Sequence, residues 1–378
     1  MKSRKAGKCG KAAGRVKFRT YPYTVTRVRV MKSKLLKGED YLRMRKMGLN
    51  EMIRFLEESE YKREIDSLSR EYLGTELIEL ALNDNLANVV NKLLDISIKE
   101  EVKVLIEFYS LKWVLNNVKL VLRTKMNRLG ETDLRYGLIP IKPMDYETSM
   151  KMHKEGEDEI FKVINRITHI DIHTLSALYR AGDLVGLENE IDVNFYSGLM
   201  ELEKRLRLKK SDPLRQFFKL LVYLMNIKNI VKFKMGGIKE DVIRKLMVLD
   251  ESGRGKAYSL GKRQEKLIAD MIAANDMKAL FDALRKSQFR DLVTAEVEEN
   301  PTRLEGAIDK FLLMYASRLL HRRPLSVSPI FGYLLCKEIE TKNIKLLVHA
   351  KAMGLDERFV DSNLILVDNY LINVVKNA

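Results

Sequence analysis

The residue types best suited to chemistry are few and scattered. His169-Ile170-Asp171-Ile172-His173 sets two imidazoles four residues apart, the spacing that lets one helix face hold a metal ion. The stretch lacks the glutamate of a zinc-protease motif. No cysteine or third histidine is near it, since His153, His321 and His349 lie elsewhere. Gly255-Lys256 and Gly261-Lys262 suggest a phosphate-cradling loop. Neither lysine is followed by Ser or Thr, and the earlier glycine of such a loop is missing. Ser252 to Lys256 therefore reads as a basic linker. There is no nucleophile elbow, no dinucleotide fingerprint and no carboxylate pair beyond ordinary helix-face acids. No catalytic residue, cofactor, metal or small-molecule substrate is expected.

What recurs is a constellation with a different purpose. Asn, then Val or Ile, then Lys, then two aliphatics and a further Lys occurs three times. The copies carry Asn117, Lys119 and Lys125; Asn226, Lys228 and Lys234; Asn343, Lys345 and Lys351. The matches continue upstream: Ile78-Glu79 with Leu82-Asn83, Leu187-Glu188 with Ile191-Asp192, and Leu304-Glu305 with Ile308-Asp309. Residues 78–140, 187–249 and 304–366 thus form three copies of one unit, with periods too long for a solenoid of short repeats. A repeated Asn among aliphatics is expected to bond to a neighbouring element rather than to a ligand. The two lysines of each copy point about 120° apart on a helix, so both cannot line one surface. The first is read as lying on a solvated face and the second as serving its own helix's C-terminal dipole.

The elements that position these residues are helices. Val104, Leu105, Phe108, Leu111, Leu115, Val118, Val121 and Leu122 step by three and four. No proline interrupts Tyr23 to Ile139, and all seven prolines fall where helices should begin or end. No sustained period-two alternation occurs, so the chain is expected to be all-α. Gly237 and Gly354, three residues after the second Lys and followed by Ile238 and Leu355, predict left-handed helix caps. The first copy has Arg128 at that place, so its cap is expected to differ, by prolonging the helix to Gly130. The expected divisions are a basic flexible tail over 1–20 and helical domains over 21–141, 142–250 and 251–378. Pro140 to Pro143 closes the first domain and Asp250 to Lys262 the second. Tyr370, Leu371, Ile372, Val374 and Val375 are expected to form a short closing element.

With 378 residues, 46% hydrophobic and 32% charged, the composition is that of a folded chain rather than a disordered one. No apolar run approaches the roughly 20 residues of a spanning helix, and the basic start is not followed by the apolar stretch of a secretory leader. Two cysteines, Cys9 and Cys336, without a CxxC pair, suit a reducing compartment. The net charge is +16, and residues 1–19 hold eight cations and no acid. That tail is either a solvated terminus or a contact with anionic lipid headgroups or nucleic acid. Arg27, Arg29, Lys32 and Lys34 concentrate charge on an early helix. They are either a partner-contact surface or a solvated face.

Taken together, the residues resemble a family: the C subunits of the A-type (archaeal) ATP synthases, counterparts of the d subunits of the vacuolar-type (V-type) ATPases. The start from Tyr23 through Arg27 and Arg29 to Leu36 is similar to that family's, with Val25 and Thr26 in place of its Asn-Ala. Leu49 to Tyr61 is similar as well. So is the series Ser328-Pro329-Ile330-Phe331-Gly332-Tyr333-Leu334-Leu335-Cys336-Lys337-Glu338-Ile339-Glu340, Asn343-Ile344-Lys345 and Met353-Gly354-Leu355. The resemblance covers roughly 21–367. It implies three similar helical domains in a pseudo-threefold funnel and a non-catalytic rotor part on the cytoplasmic face of the membrane. Its partners would be the central-stalk subunits and the proteolipid ring, and its task would be to carry torque between ion flow and ATP synthesis or hydrolysis. The alternative is a basic, all-helical nucleic-acid-binding or scaffold protein, for which the sequence offers few aromatics beside its basic clusters and no known module.

Overall fold

The computed structural model describes residues 20–206, 212–247 and 262–366. The basic tail, the linker with Gly255-Lys256 and Gly261, and the closing element at Tyr370 to Val375 lie outside these residues. The helices run α1 (Pro22–Ser33), α2 (Gly38–Lys46), α3 (Leu49–Glu57), α4 (Lys62–Leu68), α5 (Gly74–Asp95), α6 (Glu100–Met126), α7 (Glu131–Gly137), α8 (Tyr146–Lys154), α9 (Glu157–Thr168) and α10 (Ile172–Arg180). They continue as α11 (Leu184–Arg205), α12 (Pro213–Met235), α13 (Glu240–Leu246), α14 (Lys262–Ala273), α15 (Met277–Arg285), α16 (Ala295–Glu299), α17 (Leu304–Arg322), α18 (Ser328–Ala352) and α19 (Glu357–Asn363). No strand occurs among the described residues, and the fold is all-α.

Six long helices carry the architecture. α5 packs on α6, α6 on α11, α11 on α12, α12 on α17, α17 on α18, and α18 returns to α5. This closure explains why the second helix of each pair is apolar on nearly every side. Of the 25 residues in α18, eighteen are buried. A helix apolar all round must be enclosed by others. Where α6, α12 and α18 converge, Tyr109, Phe217 and Phe331 touch one another, with ring centroids 5.3–6.3 Å apart. All three are at most 1% exposed. Gly332 beside them allows α17 to approach, since a Cβ there would stand 3.0 Å from the Ala316 carbonyl oxygen.

The apolar cores draw on distant stretches of sequence. One joins Tyr41 to Leu82 with Ile344 to Leu364. A second joins Leu220 to Met247 with Leu267 to Ile308. The largest gathers α1, buried apolar side chains spread from Leu86 to Leu206 and from Leu214 to Phe218, and the 313–339 stretch. Each long helix has two flanks to cover, so segments far apart in the chain complete one core.

The long helices α6, α12 and α18 end alike. Ile238 donates its backbone N–H to the Phe233 carbonyl (3.0 Å), Leu355 to that of Ala350 (2.9 Å) and Leu129 to that of Thr124 (2.8 Å). Gly237 and Gly354 supply the left-handed residue, with φ of 67° and 64°. In the first copy Arg128 takes that conformation itself, with φ of 55°. The helix is not prolonged; Gly130 instead begins α7, where its N–H meets Asp133. The cap is therefore the same in all three places, because Leu129 can fold back on the helix only if residue 128 turns left-handed. A side chain held there costs roughly 1 kcal/mol. Arg128→Gly is expected to raise stability by about 0.5–1 kcal/mol, read as a higher midpoint of urea unfolding. A lower midpoint would show that the arginine side chain contributes more than its backbone loses.

Candidate functional site

The polar groups that the sequence repeats are used to tie the copies to one another. The repeated asparagines act first, within each copy. Asn117, 1% exposed, donates to the carbonyls of Ile139 (2.6 Å) and Met144 (2.9 Å) and accepts from the Ile139 N–H (3.1 Å). Asn343 does the same for Ile365, donating at 3.0 Å and accepting at 2.9 Å. Each clamps the chain emerging from the short helix after the cap, 22 residues on. Asn226 is equally buried in α12; residue 248, the position 22 further on, lies outside the described residues.

The first lysines reach from one copy to the next. Lys119 on α6 pairs with Asp192 on α11, and Arg123 one turn on pairs with Glu188. Lys228 on α12 pairs with Glu305 on α17 at 2.6 Å. Lys345 on α18 donates to Asn83 on α5 at 2.8 Å, and His349 one turn on meets Glu79. The solvated face expected for these lysines is not what the fold provides: Lys119 is buried and the other two are half-buried. The reason is the closure of the helix ring, which covers that face with the neighbouring helix. The repeat itself held the signal. Glu79, Glu188 and Glu305 stand four residues before Asn83, Asp192 and Asp309, and the bases stand four apart at 119 and 123, 228 and 232, 345 and 349. Groups at that spacing share one helix face, and two such faces set antiparallel place each base opposite a carboxylate or amide.

The second lysines also leave their own helix. Lys125 donates to the His153 carbonyl at 2.9 Å and to that of Glu155. Lys234 donates to the Ala274 carbonyl at 2.8 Å. These acceptors close α8 and α14, whose last carbonyls have no partner within the helix. Lys351 remains exposed.

Nearer the aromatic cluster, Lys112 on α6 pairs with Glu338 on α18, and Lys342 pairs with Asp309 at 2.8 Å. Burial pushes Glu338 upward, but the Lys112 and Lys342 ammoniums outweigh it and hold the carboxyl below its usual range. Burial prevails at Asp309, whose carboxyl is raised despite Lys342. It also prevails at Lys345, whose ammonium is lowered.

Sequence reasoning missed one further group. Glu340, 3% exposed, accepts from Lys337 (2.8 Å), from the Tyr61 hydroxyl (2.7 Å) and from the Leu36 N–H (2.6 Å). Lys337, 2% exposed, lies 4.0 Å above the Tyr61 ring. The link from α1 to α2 is thereby pinned to α18. Nothing local signals this, because Leu36, Tyr61 and Glu340 are brought together only by the fold.

The histidine pair is divided between two elements. His169 is the left-handed cap of α9, and His173 lies inside α10, whose N-cap is Asp171. They share no helix face. Among the described residues no group of three or more His, Cys, Asp or Glu side chains could hold a metal. Of the cations proposed for partner contact, Arg27 and Arg29 are exposed on α1. Lys34 pairs with Glu60 at 2.6 Å, and Lys32 is half-buried, with its ammonium lowered by burial.

A closed cycle of long helices, with charged and amide side chains joining one to the next, defines an all-α framework protein. Comparison with known proteins gives the same class. The family model described as ATP synthase (C/AC39) subunit matches residues 24–362, and the chain belongs to that family. It is similar to the C subunit of the A-type ATP synthase of Methanosarcina acetivorans, 32% identical over 351 residues, which is 92% of this chain and 93% of the relative. It is 30% identical to the protein of that name from Methanosarcina mazei, over the same shares of each chain. The Haloferax volcanii protein of that name is 30% identical over 355 residues, 91% of this chain and 97% of its own. Members of this family are non-catalytic. No helix among the described residues is long and apolar enough to cross a membrane.

Proposed function

We propose that the chain is a rotor subunit of an A-type or V-type ATP synthase. Its three similar helical domains form a pseudo-threefold funnel that receives the foot of the central stalk and rests on the proteolipid ring at the cytoplasmic face of the membrane. Its task is to carry torque between ion translocation and ATP synthesis or hydrolysis. The observation that carries this reading is the closed cycle of ties, from Lys119 to Asp192, from Lys228 to Glu305 and from Lys345 back to Asn83. A connector that transmits torque must not yield under it. Packed helical interiors have low compressibility, and a ring with no free edge has no seam at which to open. The ties are also cross-copy, so twisting one hairpin loads the next. Arg27 and Arg29, with Lys32 and Lys34, are proposed as part of the surface that meets an anionic neighbour.

The test is recovery of the tagged full-length chain from detergent-solubilised host membranes, with partners identified by mass spectrometry. Proteolipid-ring and central-stalk subunits are expected. Recovery of nucleic acid or unrelated proteins without any ATP synthase subunit would replace this reading with the nucleic-acid-binding or scaffold alternative.

A further inference from the structure

The acid-free start of the chain extends well beyond its basic tail. The first acid is Glu39, and residues 1–38 hold thirteen cations, eight before Thr20 and five after it. The described part of this stretch is α1, which buries Val25, Val28 and Met31 in the core. Its opposite face shows Tyr23, 53% exposed, and Val30, 55% exposed, with Thr26, Arg27 and Lys34 around them. Tyrosine, arginine and valine at successive turns form a partly apolar, cationic stripe whose only described carboxylate contact is that of Lys34 with Glu60 at its far end.

Two loops meet the buried side of the start of α1. The Tyr21 N–H donates to the Leu325 carbonyl at 2.8 Å, and the Thr24 hydroxyl to the Ile96 carbonyl at 3.0 Å. The loop between α17 and α18 presents Leu325, 43% exposed, beside exposed Arg322 and Arg323. The loop between α5 and α6 presents Ile98, 70% exposed, beside Lys99. The acids of this end are Asp95, Glu100 and Glu101, the last accepting from Tyr21, and Asp212, paired with Arg323 at 3.0 Å. Cations and acids of the loops are nearly in balance, so the positive excess is that of the acid-free start.

We propose that this end of the molecule, formed by α1 and the loops at Ile98 and Leu325, rests on an anionic lipid surface. Exposed apolar side chains occurring singly need no explanation. Tyr23, Ile98 and Leu325 instead stand on the helix and the two loops that are bonded to one another at Tyr21 and Thr24, beside exposed cations, which is the interfacial combination of apolar anchors and cations. A nucleic-acid partner would be served by the cations but not by aliphatic side chains turned to solvent. The inference deepens the membrane placement proposed above and rests on it only for orientation. Binding comes from the headgroup charge, at a gain that grows with each Lys or Arg near the surface, and from the seating of the three apolar side chains.

The experiment is co-sedimentation of the full-length protein with vesicles of phosphatidylcholine alone and with about one quarter phosphatidylserine added. Binding to the mixed vesicles only, released by salt, is the expected result. Ile98→Ser with Leu325→Ser leaves the charge unchanged and should lower the partition on the order of tenfold. Arg27→Gln with Arg29→Gln should lower it on the order of tenfold or more. All four positions are exposed, and equal melting temperatures establish that the variants fold. Unchanged binding of the Ile98/Leu325 variant overturns the proposal, as does binding to duplex DNA that exceeds binding to the vesicles. A chain that ignores both vesicle types yet is recovered with ATP synthase subunits overturns this inference and leaves the rotor reading standing. Vesicle binding without ATP synthase subunits does the reverse.

Discussion

Replacing Glu340 with alanine is expected to remove about 3–5 kcal/mol of folding stability. Its carboxylate is the common acceptor for Lys337, Tyr61 and the Leu36 N–H. Truncation leaves an ammonium buried without its counter-charge, above a ring that offers only partial compensation. It also leaves a hydroxyl and a backbone N–H without their acceptor, each costing about 1–3 kcal/mol when buried. Lys337→Met should cost less, because Glu340 keeps two donors. The double variant Lys337→Met with Glu340→Ala should cost less than the sum of the two singles, since no isolated charge then remains buried. Urea unfolding of the four proteins measures this. Additive losses, or a Glu340→Ala loss under about 1 kcal/mol, would mean that the pair behaves like an exposed one.

Asn117→Ala is expected to cost about 2–4 kcal/mol, and Asn343→Ala somewhat less. The amide of Asn117 joins α6 to the segment at Ile139 and Met144 by three hydrogen bonds, and that of Asn343 makes two with Ile365. Water cannot readily replace an amide that is 1% exposed. Asn117→Asp conserves shape but removes both donated bonds and turns a charge toward two carbonyl oxygens. It should therefore be at least as damaging as alanine. A thermal midpoint for Asn117→Asp equal to that of the unsubstituted chain would show that the segment after α7 is held by its apolar contacts alone.

The two residues differ in how they announce themselves. Asn117 and Asn343 are conspicuous because each is an amide followed by an aliphatic residue and a lysine at a fixed place in a repeat. An amide so placed must find a partner, although the sequence does not name Ile139 or Ile365 as that partner. Glu340 resembles any acid on a long helix, and its partners come from residues 36, 61 and 337. The lysines show a third case. Their spacing is legible, but a solvated face and a helix-dipole role are expected at six positions of which five, all but Lys351, reach a neighbouring element. Periodicity tells which residues share a face and not what covers it. Arg128 makes the same point at the backbone level. Its side-chain type argues against a left-handed cap, yet the return of Leu129 to Thr124 imposes one.

By itself the sequence determined the helical class, the helix through Val104 to Leu122 and the ends of those that close on Gly237 and Gly354. These depend on the three-to-four spacing of apolar residues, on proline and on glycine, all of which act within a few residues of chain. It also determined the positive, acid-free start, because charge is a sum over composition. Only the tertiary structure decided that α18 returns to α5, that Lys345 finds Asn83, and that Glu340 lies beneath Tyr61 and Leu36. Those outcomes depend on enclosing helices that are apolar on every side. A helix that needs cover on all flanks recruits it from whichever segments the closed ring brings near, however far apart they lie in the chain.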